Sequence, residues 1–448
     1  MKRLARVPRA AVLAAGIVAG IFGPVVDGAV FAADSQGLYV STQGDDRRDG
    51  SSPAKALRTI SAALSRAQPG DTIFVGPGTY SEQLVTKRGG APGAEITIKG
   101  SDGKSVINGS SLGWASAKSQ NQALVELRHP YVRVVGLTIE NSKNTGILLA
   151  ADDLTVEDNR IVDTQLHAIS TDTSRQTNYH DTNETMIRRI VLKNNLVERA
   201  SLGGDSQAVS LIADGFLVEG NTVRDSLREG IDIWLGSRRG EVVNNTVSGN
   251  AATGIYVDGA AYVKIHHNIV YRNRSGIGVT SEDKDYATHD IWVYDNVVYD
   301  NREVGCYLWD DKWRPGVKGV QNVLLAYNTI IGNKHTISVA GENNTGKIVN
   351  NLGYSTKSSV ENLAAHSSVD MRNNVWLPSL TGFVSAERKD FRLTDRSPAL
   401  DKGTAIPPLD DKNGGTFSIA TDFAGLSRVS GRKPDAGAFE YQGSGSAD

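Results

Sequence analysis

One stretch, from Asn245 to Asp258, contains the two phrases that decide the fold: Asn-Thr-Val-Ser at its start and Gly-Ile-Tyr-Val-Asp at its end. The first phrase, a turn residue followed by a short apolar run, recurs along most of the chain. Its nine copies begin at Gly136, Asn159, Asn195, Asn221, Asn245, Asn268, Asn296, Asn328 and Asn351. Most intervals are 23 to 28 residues long, and two longer ones of 36 and 32 residues indicate inserted loops. This period predicts a solenoid with coils of about two dozen residues.

The second phrase has the alternation of a β-strand with one buried face. Its second positions are Ile147, Ile169, Val209, Ile231, Ile255, Ile277, Cys306 and Ile337, and its fourth positions are Leu149, Thr171, Leu211, Ile233, Val257, Val279, Leu308 and Val339. Successive side chains of a strand point to opposite faces, so these two columns face inward. We therefore predict an all-β protein, a parallel β-helix, in which Cys306 is a core residue rather than a nucleophile or a metal ligand.

The Asn that opens each repeat allows two interpretations. A row of Asn side chains could bind sugars or metal ions. The structural interpretation is stronger, because Asn tolerates left-handed turn conformations and its amide can hydrogen-bond to the same residue on the coils above and below. We predict an internal asparagine ladder. A propeller would need longer blades, and a leucine-rich horseshoe would need a leucine and helix pattern that is absent here.

Composition excludes several classes of protein. The 448 residues are 39% hydrophobic and carry 48 Lys and Arg against 50 Asp and Glu, which argues against a disordered chain and a basic nucleic-acid binder. The N-terminus is basic, then apolar from Ala10 to Val26, then small at Val30-Phe31-Ala32, as in a secretory signal. Removing residues 1–32 would leave a net charge of −5. We expect a secreted or periplasmic monomer without a nucleic-acid or membrane partner.

The two ends of the chain show a resemblance to a known class. The stretch from Tyr39 to Tyr80 resembles the start of many secreted right-handed parallel β-helix proteins, including polysaccharide lyases. Asp390-Phe-Arg-Leu, Ser397-Pro-Ala-Leu-Asp and Asp435-Ala-Gly-Ala-Phe-Glu-Tyr resemble their closing segment. The resemblance implies a right-handed solenoid, and the spacing of apolar residues over 54–67 predicts an N-terminal capping helix. We divide the chain into a signal peptide (1–32), a cap and first coil (33–75), the β-helix (76–380) and a C-terminal packed segment (381–448).

The outward positions of the repeated strand carry acids and aromatic residues. The third positions include Asp232, Tyr256 and Tyr307, the fifth include Asp172, Trp234, Asp258 and Trp309, and Glu282, Asp311 and Glu342 follow two residues later. Exposed strands favour Tyr and Trp in any case. Four large aromatic residues beside acids nevertheless indicate a groove in which rings stack on sugars and carboxylates act on hydroxyls or on the glycosidic bond.

The register of the coils predicts which acids meet. Asp232 and Asp258 are offset by two residues on adjacent strands, and so are Asp258 and Glu282. Their α-carbons would lie roughly 7 to 8 Å apart, with the side chains closer. This range covers the roughly 5 to 5.5 Å carboxyl separation of a retaining glycosidase and the roughly 6.5 to 9.5 Å of an inverting one. Both stereochemical outcomes stay open, and crowding would raise the pKa of one acid.

A second resemblance concerns one strand. The phrase from Gly254 to Asp258 resembles the nucleophile strand of a family of β-helical β-xylosidases, which implies that Asp258 is the nucleophile. The acid of that family would fall near Thr280, where this chain has no carboxylate. Glu282 is the nearest acid and is our predicted proton donor. The predicted catalytic residues are Asp258, Glu282 and Asp232, and the predicted substrate-binding residues are Trp234, Tyr256, Tyr307, Trp309, Asp172, Asp310, Arg228, Glu229 and Lys284.

Three functions other than glycoside hydrolysis are compatible with a β-helix fold. In a lyase, Asp232, Asp258, Glu282 and Asp310 could hold calcium while Lys284, Arg228 or His167 removes the C5 proton of a uronate. The outward columns contain no Lys or Arg, so hydrolysis of a neutral or weakly charged glycan is favoured, without a cofactor. A non-catalytic glycan-binding scaffold would need the aromatic residues alone. An alginate-type C5-epimerase would carry an Asp-Pro-His motif, which this sequence lacks.

Overall fold

The computed structural model describes residues 37–101, 103–113, 122–171, 186–361, 367–411 and 415–443. All of them belong to one compact unit, Ala33–Asp448. The proposed signal peptide, 1–32, lies outside the described residues. No helix in the described part of the chain is both long enough and apolar enough to cross a bilayer.

Almost all regular structure is β. The strands are β1 Gly37–Val40, β2 Thr72–Val75, β3 Gly78–Tyr80, β4 Leu84–Val85, β5 Ile96–Lys99, β6 Ser105–Asn108, β7 Ala123–Leu127, β8 Val132–Val135, β9 Thr138–Glu140, β10 Thr145–Leu149, β11 Leu154–Glu157, β12 Arg160–Val162, β13 Ile169–Thr171, β14 Ile187–Lys193, β15 Leu196–Glu198, β16 Val209–Leu211, β17 Ala213–Glu219, β18 Thr222–Arg224, β19 Ile231–Trp234, β20 Arg238–Val243, β21 Thr246–Ser248, β22 Thr253–Asp258, β23 Ala261–His266, β24 Ile269–Tyr271, β25 Ser275–Ser281, β26 His289–Tyr294, β27 Val297–Tyr299, β28 Val304–Asp310, β29 Val323–Ala326, β30 Thr329–Val339, β31 Thr345–Val349, β32 Leu352–Glu361, β33 Ser368–Arg372, β34 Val375–Trp376, β35 Phe383–Ser385, β36 Asp390–Leu393, β37 Leu409–Asp410 and β38 Thr416–Phe417. The helices are α1 Ile60–Arg66 and the 3-10 turns Pro53–Lys55 and Ala386–Arg388.

Except at the two ends, each coil contributes one strand to each of three parallel stacks. Sheet A runs β1-β2-β5-β8-β11-β14-β17-β20-β23-β26-β29-β31-β33. Sheet B runs β3-β6-β9-β12-β15-β18-β21-β24-β27-β30-β32-β34, and sheet C runs β4-β7-β10-β13-β16-β19-β22-β25-β28-β30-β32. The long strands β30 and β32 belong to both sheets B and C. The predicted right-handed parallel β-helix is confirmed.

The two predicted columns form the inner face of sheet C. Ile255 pairs with Ile231 on one side and with Ile277 on the other, and Ile277 pairs with Cys306. All four side chains are buried. Burial also raises the pKa of the Cys306 thiol, which keeps it protonated, as expected of a core residue.

The capping helix is shorter than predicted. It begins at Ile60, after Thr59 accepts a hydrogen bond from the Ala62 amide at 3.1 Å as N-cap. Leu57, which fits the helical spacing, instead forms an isolated bridge with Val40. The apolar period was therefore right about which side chains are buried and wrong about where the helix begins.

The predicted asparagine ladder is present. Asn268 accepts hydrogen bonds from the backbone and side-chain amides of Asn245 at 2.9 and 3.0 Å, and its own amide groups donate to Asn296 at 3.0 Å. The same pattern links the Asn of each repeat from Asn159 to Asn351, and Asn374 extends it by one coil. The side chains satisfy backbone groups that the turns would otherwise leave buried and unpaired.

A second ladder stands beside it, formed by Asn250, Asn273, Asn301 and Asn333. Each member follows a residue of the first ladder by five positions. The predicted ladder did not include these residues, although the constant offset is visible in the sequence.

The C-terminal segment is packed on the solenoid, as predicted. Phe383 and Phe391 form a cluster with Ile331 and other residues of sheet B. Arg428 is buried, contacts the buried carboxylate of Asp295, and donates to the carbonyl of Gly437 at 3.0 Å. This ion pair ties the segment to the turn between β26 and β27.

The ladder makes a prediction about stability. Asn268→Ala leaves the Asn245 amide and several carbonyls buried without partners, so we expect the free energy of unfolding to fall by about 3 kcal/mol in denaturant titrations. Asn374→Ala, at the half-buried end of the ladder, should cost clearly less. A loss at Asn268→Ala no larger than that of an ordinary surface substitution would mean that the ladder does not stabilise the stack.

Candidate active groove

A groove of about 670 Å³ runs along the outside of sheet C. Its lining residues come from six consecutive coils, those that contain β16, β19, β22, β25, β28 and β30, which corresponds to about 24 Å between the first and the last. The lining residues are Gln207, Arg228, Glu229, Asp232, Trp234, Ala252, Thr253, Tyr256, Asp258, Arg274, Ser275, Glu282, Glu303, Val304, Tyr307, Leu308, Trp309, Lys334, His335, Ser338 and Ala340. Many of the predicted site residues therefore line one continuous concave surface.

The floor of the groove is formed by third positions of the repeated strand. A Cβ at Gly278 would come within 2.4 Å of the Tyr307 ring, so this glycine leaves the space that the ring occupies. Tyr307 thereby reaches across one coil, and its hydroxyl is 2.8 Å from Oγ1 of Thr253. Burial raises the pKa of Tyr307, which keeps the phenol as a neutral hydrogen-bonding group.

Asp258 and Glu282 meet at one side of the floor. Strand β22 places Asp258 opposite Trp234 on β19 and Thr280 on β25. The backbone amide of Glu282 donates to Oδ1 of Asp258 at 2.9 Å, and the Tyr256 hydroxyl donates to Oε1 of Glu282. The structure thus brings together the pair that the register predicted.

Burial controls the protonation of Asp258. The side chain is 4% exposed, and this desolvation, together with the nearby charges of Glu282 and Asp283, raises its pKa to about 7. Hydrogen bonds from the Glu282 amide and the Trp234 side chain lower the pKa and offset part of the rise. A large share of the Asp258 carboxyl groups is therefore protonated at neutral pH.

Asp232 lies deeper in the groove and is 1% exposed. Desolvation raises its pKa well above the ordinary aspartate value, and the charges of Glu229, Asp258 and Glu282 raise it further. Its Oδ1 atom has no hydrogen-bond partner among the described residues. A buried carboxyl that faces a groove without a partner for one oxygen is more typical of a functional site than of a structural acid.

The side of the groove at the N-terminal ends of the sheet C strands carries basic residues. Arg228 lies 3.5 Å from Glu229, Arg274 lies 3.0 Å from Glu303, and Lys334 is exposed. Of these five groove residues, only Arg228 and Glu229 were predicted. The others, and His335, fall just before the repeated phrase, so the outward columns did not include them.

Several predicted residues lie elsewhere. Asp310 is buried and accepts two hydrogen bonds from the Glu342 amide, at 2.9 and 2.8 Å, so it fixes a turn and does not line the groove. Lys284 is exposed, 3.6 Å from Asp285, and does not line the groove either. Asp172 lies outside the described residues.

His167 lines a neighbouring cavity of about 80 Å³ that shares Trp234 and Gln207 with the groove. Its Nδ1 atom is 2.9 Å from the Gln207 carbonyl. Burial lowers the pKa of His167 to about 4, so the ring is neutral at pH 7.

The four acids expected to hold calcium in a lyase are not brought together, because Asp310 is absent from the groove. In the described ranges, no group of three or more His, Cys, Asp and Glu side chains is arranged to hold a metal ion. The arrangement does not fit the expected calcium site.

The buried acid Asp232 makes a prediction about stability and pH. Its carboxyl has a raised pKa in the folded state, so wild-type stability is lost progressively as pH rises above the unfolded value of about 3.9. Asp232→Asn removes this loss, and the melting temperature of the variant relative to wild type should increase between pH 4 and pH 8. The exposed control Asp395→Asn should show no such trend. A constant difference across this range would show that Asp232 ionises normally.

Comparison with known proteins places the chain in a family. A model described as "Right handed beta helix region" matches residues 183–313, and one described as "Protein of unknown function (DUF1565)" matches residues 42–203. Among solved structures, pectate lyase Pel9A is similar with a TM-score of 0.57 at 17% identity, covering 92% of this chain and 97% of that one. XylC in complex with xylose gives 0.54 at 13% identity, covering 90% and 98%.

These likenesses confirm the expected resemblance in fold to β-helical carbohydrate-active proteins. The uncharacterized protein YwoF of Bacillus subtilis (strain 168) is 31% identical over 331 residues, which cover 66% of this chain and 68% of YwoF. This right-handed parallel β-helix therefore belongs to the same protein family as YwoF.

Proposed function

We propose that this chain is an enzyme that hydrolyses glycosidic bonds in a polysaccharide bound along the sheet C groove. The observation that carries the proposal is the contact between Asp258, a buried acid with a pKa of about 7, and Glu282, whose carboxylate accepts the Tyr256 hydroxyl. A carboxyl group that keeps its proton near neutral pH, beside a second carboxyl group, is what glycoside hydrolysis requires.

The environments of the two acids suggest their roles. Asp258 retains a proton near neutral pH and would donate it to the glycosidic oxygen as the bond to the anomeric carbon breaks. Glu282, which accepts a hydrogen bond from Tyr256, would act as the nucleophile of a retaining reaction or as the base for the attacking water of an inverting one. These roles are the reverse of those implied by the β-xylosidase resemblance, because desolvation of Asp258 favours its neutral form.

Aromatic side chains support a glycan as the ligand. Trp234 and Trp309 line the groove three strands apart, on β19 and β28, and both are partly exposed. That distance, about 14 Å, would place them at separate sugar subsites. Pel9A and XylC, named as a pectate lyase and as a complex with xylose, show that this fold can carry carbohydrate sites.

A lyase is the second candidate, and one observation favours it. Arg228, Arg274, Lys334 and His335 line the groove, and such groups could neutralise a uronate carboxylate or remove its C5 proton. In such a lyase, these side chains would take the place of a calcium ion in neutralising the uronate.

The role of Asp258 makes a prediction about activity. Asp258→Asn should lower activity about 10²- to 10⁴-fold without lowering the melting temperature, because the amide is nearly isosteric and cannot donate the proton. In the wild type, activity should fall as pH rises through about 7.

Two neighbours should move this limb of the pH profile in opposite directions. Trp234→Phe removes a hydrogen bond that lowers the pKa of Asp258 and should shift the limb to higher pH, whereas Asp283→Asn removes a charge that raises it and should shift the limb to lower pH. A limb that stays unchanged in both variants would show that Asp258 is not the acid.

Product analysis separates the two candidate reactions. A polysaccharide panel should release reducing ends without near-ultraviolet absorbance, and exhaustive chelation should leave the rate nearly unchanged. A lyase would form a C4–C5 double bond, so unsaturated products would overturn the hydrolase proposal. Absence of any cleavage on a broad panel would favour a glycan-binding scaffold.

A further inference from the structure

The basic residues of the groove follow a regular pattern. Arg228, Arg274 and Lys334 occupy the same place in their coils, two residues before the sheet C column that contains Gly230, Gly276 and Thr336. We call these three residues the basic edge. Ala252 and Glu303 occupy the same place on the coils between them.

Backbone contacts show that this is a true column. The Arg274 amide donates to the Ala252 carbonyl at 3.0 Å, and the Glu303 amide donates to the Arg274 carbonyl at 2.8 Å. Consecutive cations of the basic edge are therefore two strands apart, at a spacing of about 9.5 Å along the helix axis.

The cations of the basic edge are accessible to a ligand. The Arg228 and Arg274 side chains are 49% and 60% exposed, and each pairs with a single carboxylate. Ion pairs at such exposure contribute little stability, so an anion of the ligand could replace or join the carboxylate. Lys334 has no ion-pair partner among the described residues.

The carboxyl groups of the groove repel an anionic ligand less strongly than their number suggests, because not all of them are charged. Burial raises the pKa values of Asp232 and Asp258, which favours their neutral forms. The remaining carboxylates are Glu229 and Glu303, which are paired with the basic edge, and Glu282 on the opposite side. One side of the groove is thus basic and the other is aromatic and largely neutral.

We infer that the glycan of the proposed reaction is acidic, with carboxylate or sulfate groups that contact Arg228, Arg274 and Lys334 while its sugar rings lie on Trp234 and Trp309. This inference rests on the proposed function for the identity of the ligand as a glycan. It differs from the expectation of a neutral or weakly charged glycan, which was based only on the five positions of the repeated phrase.

Binding to immobilised glycans tests the inference. Every protein carries Glu282→Gln so that no probe is cleaved, and affinity electrophoresis is run through polygalacturonate, its methyl ester, chondroitin sulfate and neutral galactan. An acidic probe should retard the protein, and its neutral counterpart should do so at least tenfold more weakly. Retardation should fall as salt is added, because exposed charges are screened.

Charge-matched variants locate the contact. Arg228→Gln, Arg274→Gln and Lys334→Gln combined should weaken binding of the acidic probe at least tenfold, whereas Arg272→Gln, Lys318→Gln and Lys347→Gln, exposed residues outside the groove, should not. Polygalacturonate and chondroitin sulfate separate carboxylate from sulfate recognition. Equal binding of galactan, no binding of any acidic probe, or equal losses in the two triple variants would overturn the inference.

The outcome is distinguishable from failure of the proposed function, because binding is read without cleavage. Retention of acidic probes by a protein whose wild type cleaves none of them would reject the enzyme and keep the acidic ligand. Cleavage of neutral glycans alone would support the enzyme and reject the acidic ligand.

Discussion

The in-register stacking of parallel coils is the constraint on which the rest of the molecule depends. Ile255 is held between Ile231 and Ile277, and the asparagine ladder fixes the same register at the neighbouring turn. Successive side chains of a strand point to opposite faces. A register slip of one residue would therefore turn the apolar columns outward and turn groove residues such as Asp258 into the core. Burial of the core and placement of the groove residues are therefore consequences of one register.

The same stacking explains the chemistry of the groove. A flat sheet surface would leave carboxyl groups in water, with ordinary pKa values. Here Trp234 and Tyr256 line the groove next to Asp258. The backbone amide of Glu282, in the turn that follows β25, donates a hydrogen bond to the Asp258 carboxyl group. Desolvation then raises the pKa of Asp258, and the Tyr256 hydroxyl donates a hydrogen bond to Glu282. The groove retains acids at some cost in stability, as functional sites often do.

The features that depend on the repeat could be predicted from the sequence. Alternation and period predicted the columns around Ile255, the burial of Cys306 and the meeting of Asp258 with Glu282. The repeat pattern could not locate contacts made by loops, such as the turn that Asp310 fixes through Glu342. It also overlooked Arg274 and Lys334, since they precede the phrase that defined the columns. The protonation of Asp258 depends on desolvation by surrounding side chains, which no linear pattern expresses.

The proposed reaction requires that Asp258 keeps its proton near neutral pH, and the titration of this side chain tests that requirement most directly. Aspartate labelled with ¹³C at the carboxyl carbon would be followed by NMR from pH 4 to 9 in the wild type and in Asp258→Asn. We expect a resonance with a midpoint near pH 7 that is missing from the variant. If the resonance lost in the variant instead titrates close to the ordinary aspartate value of about 3.9, Asp258 is a solvated carboxylate and is not the proton donor at neutral pH.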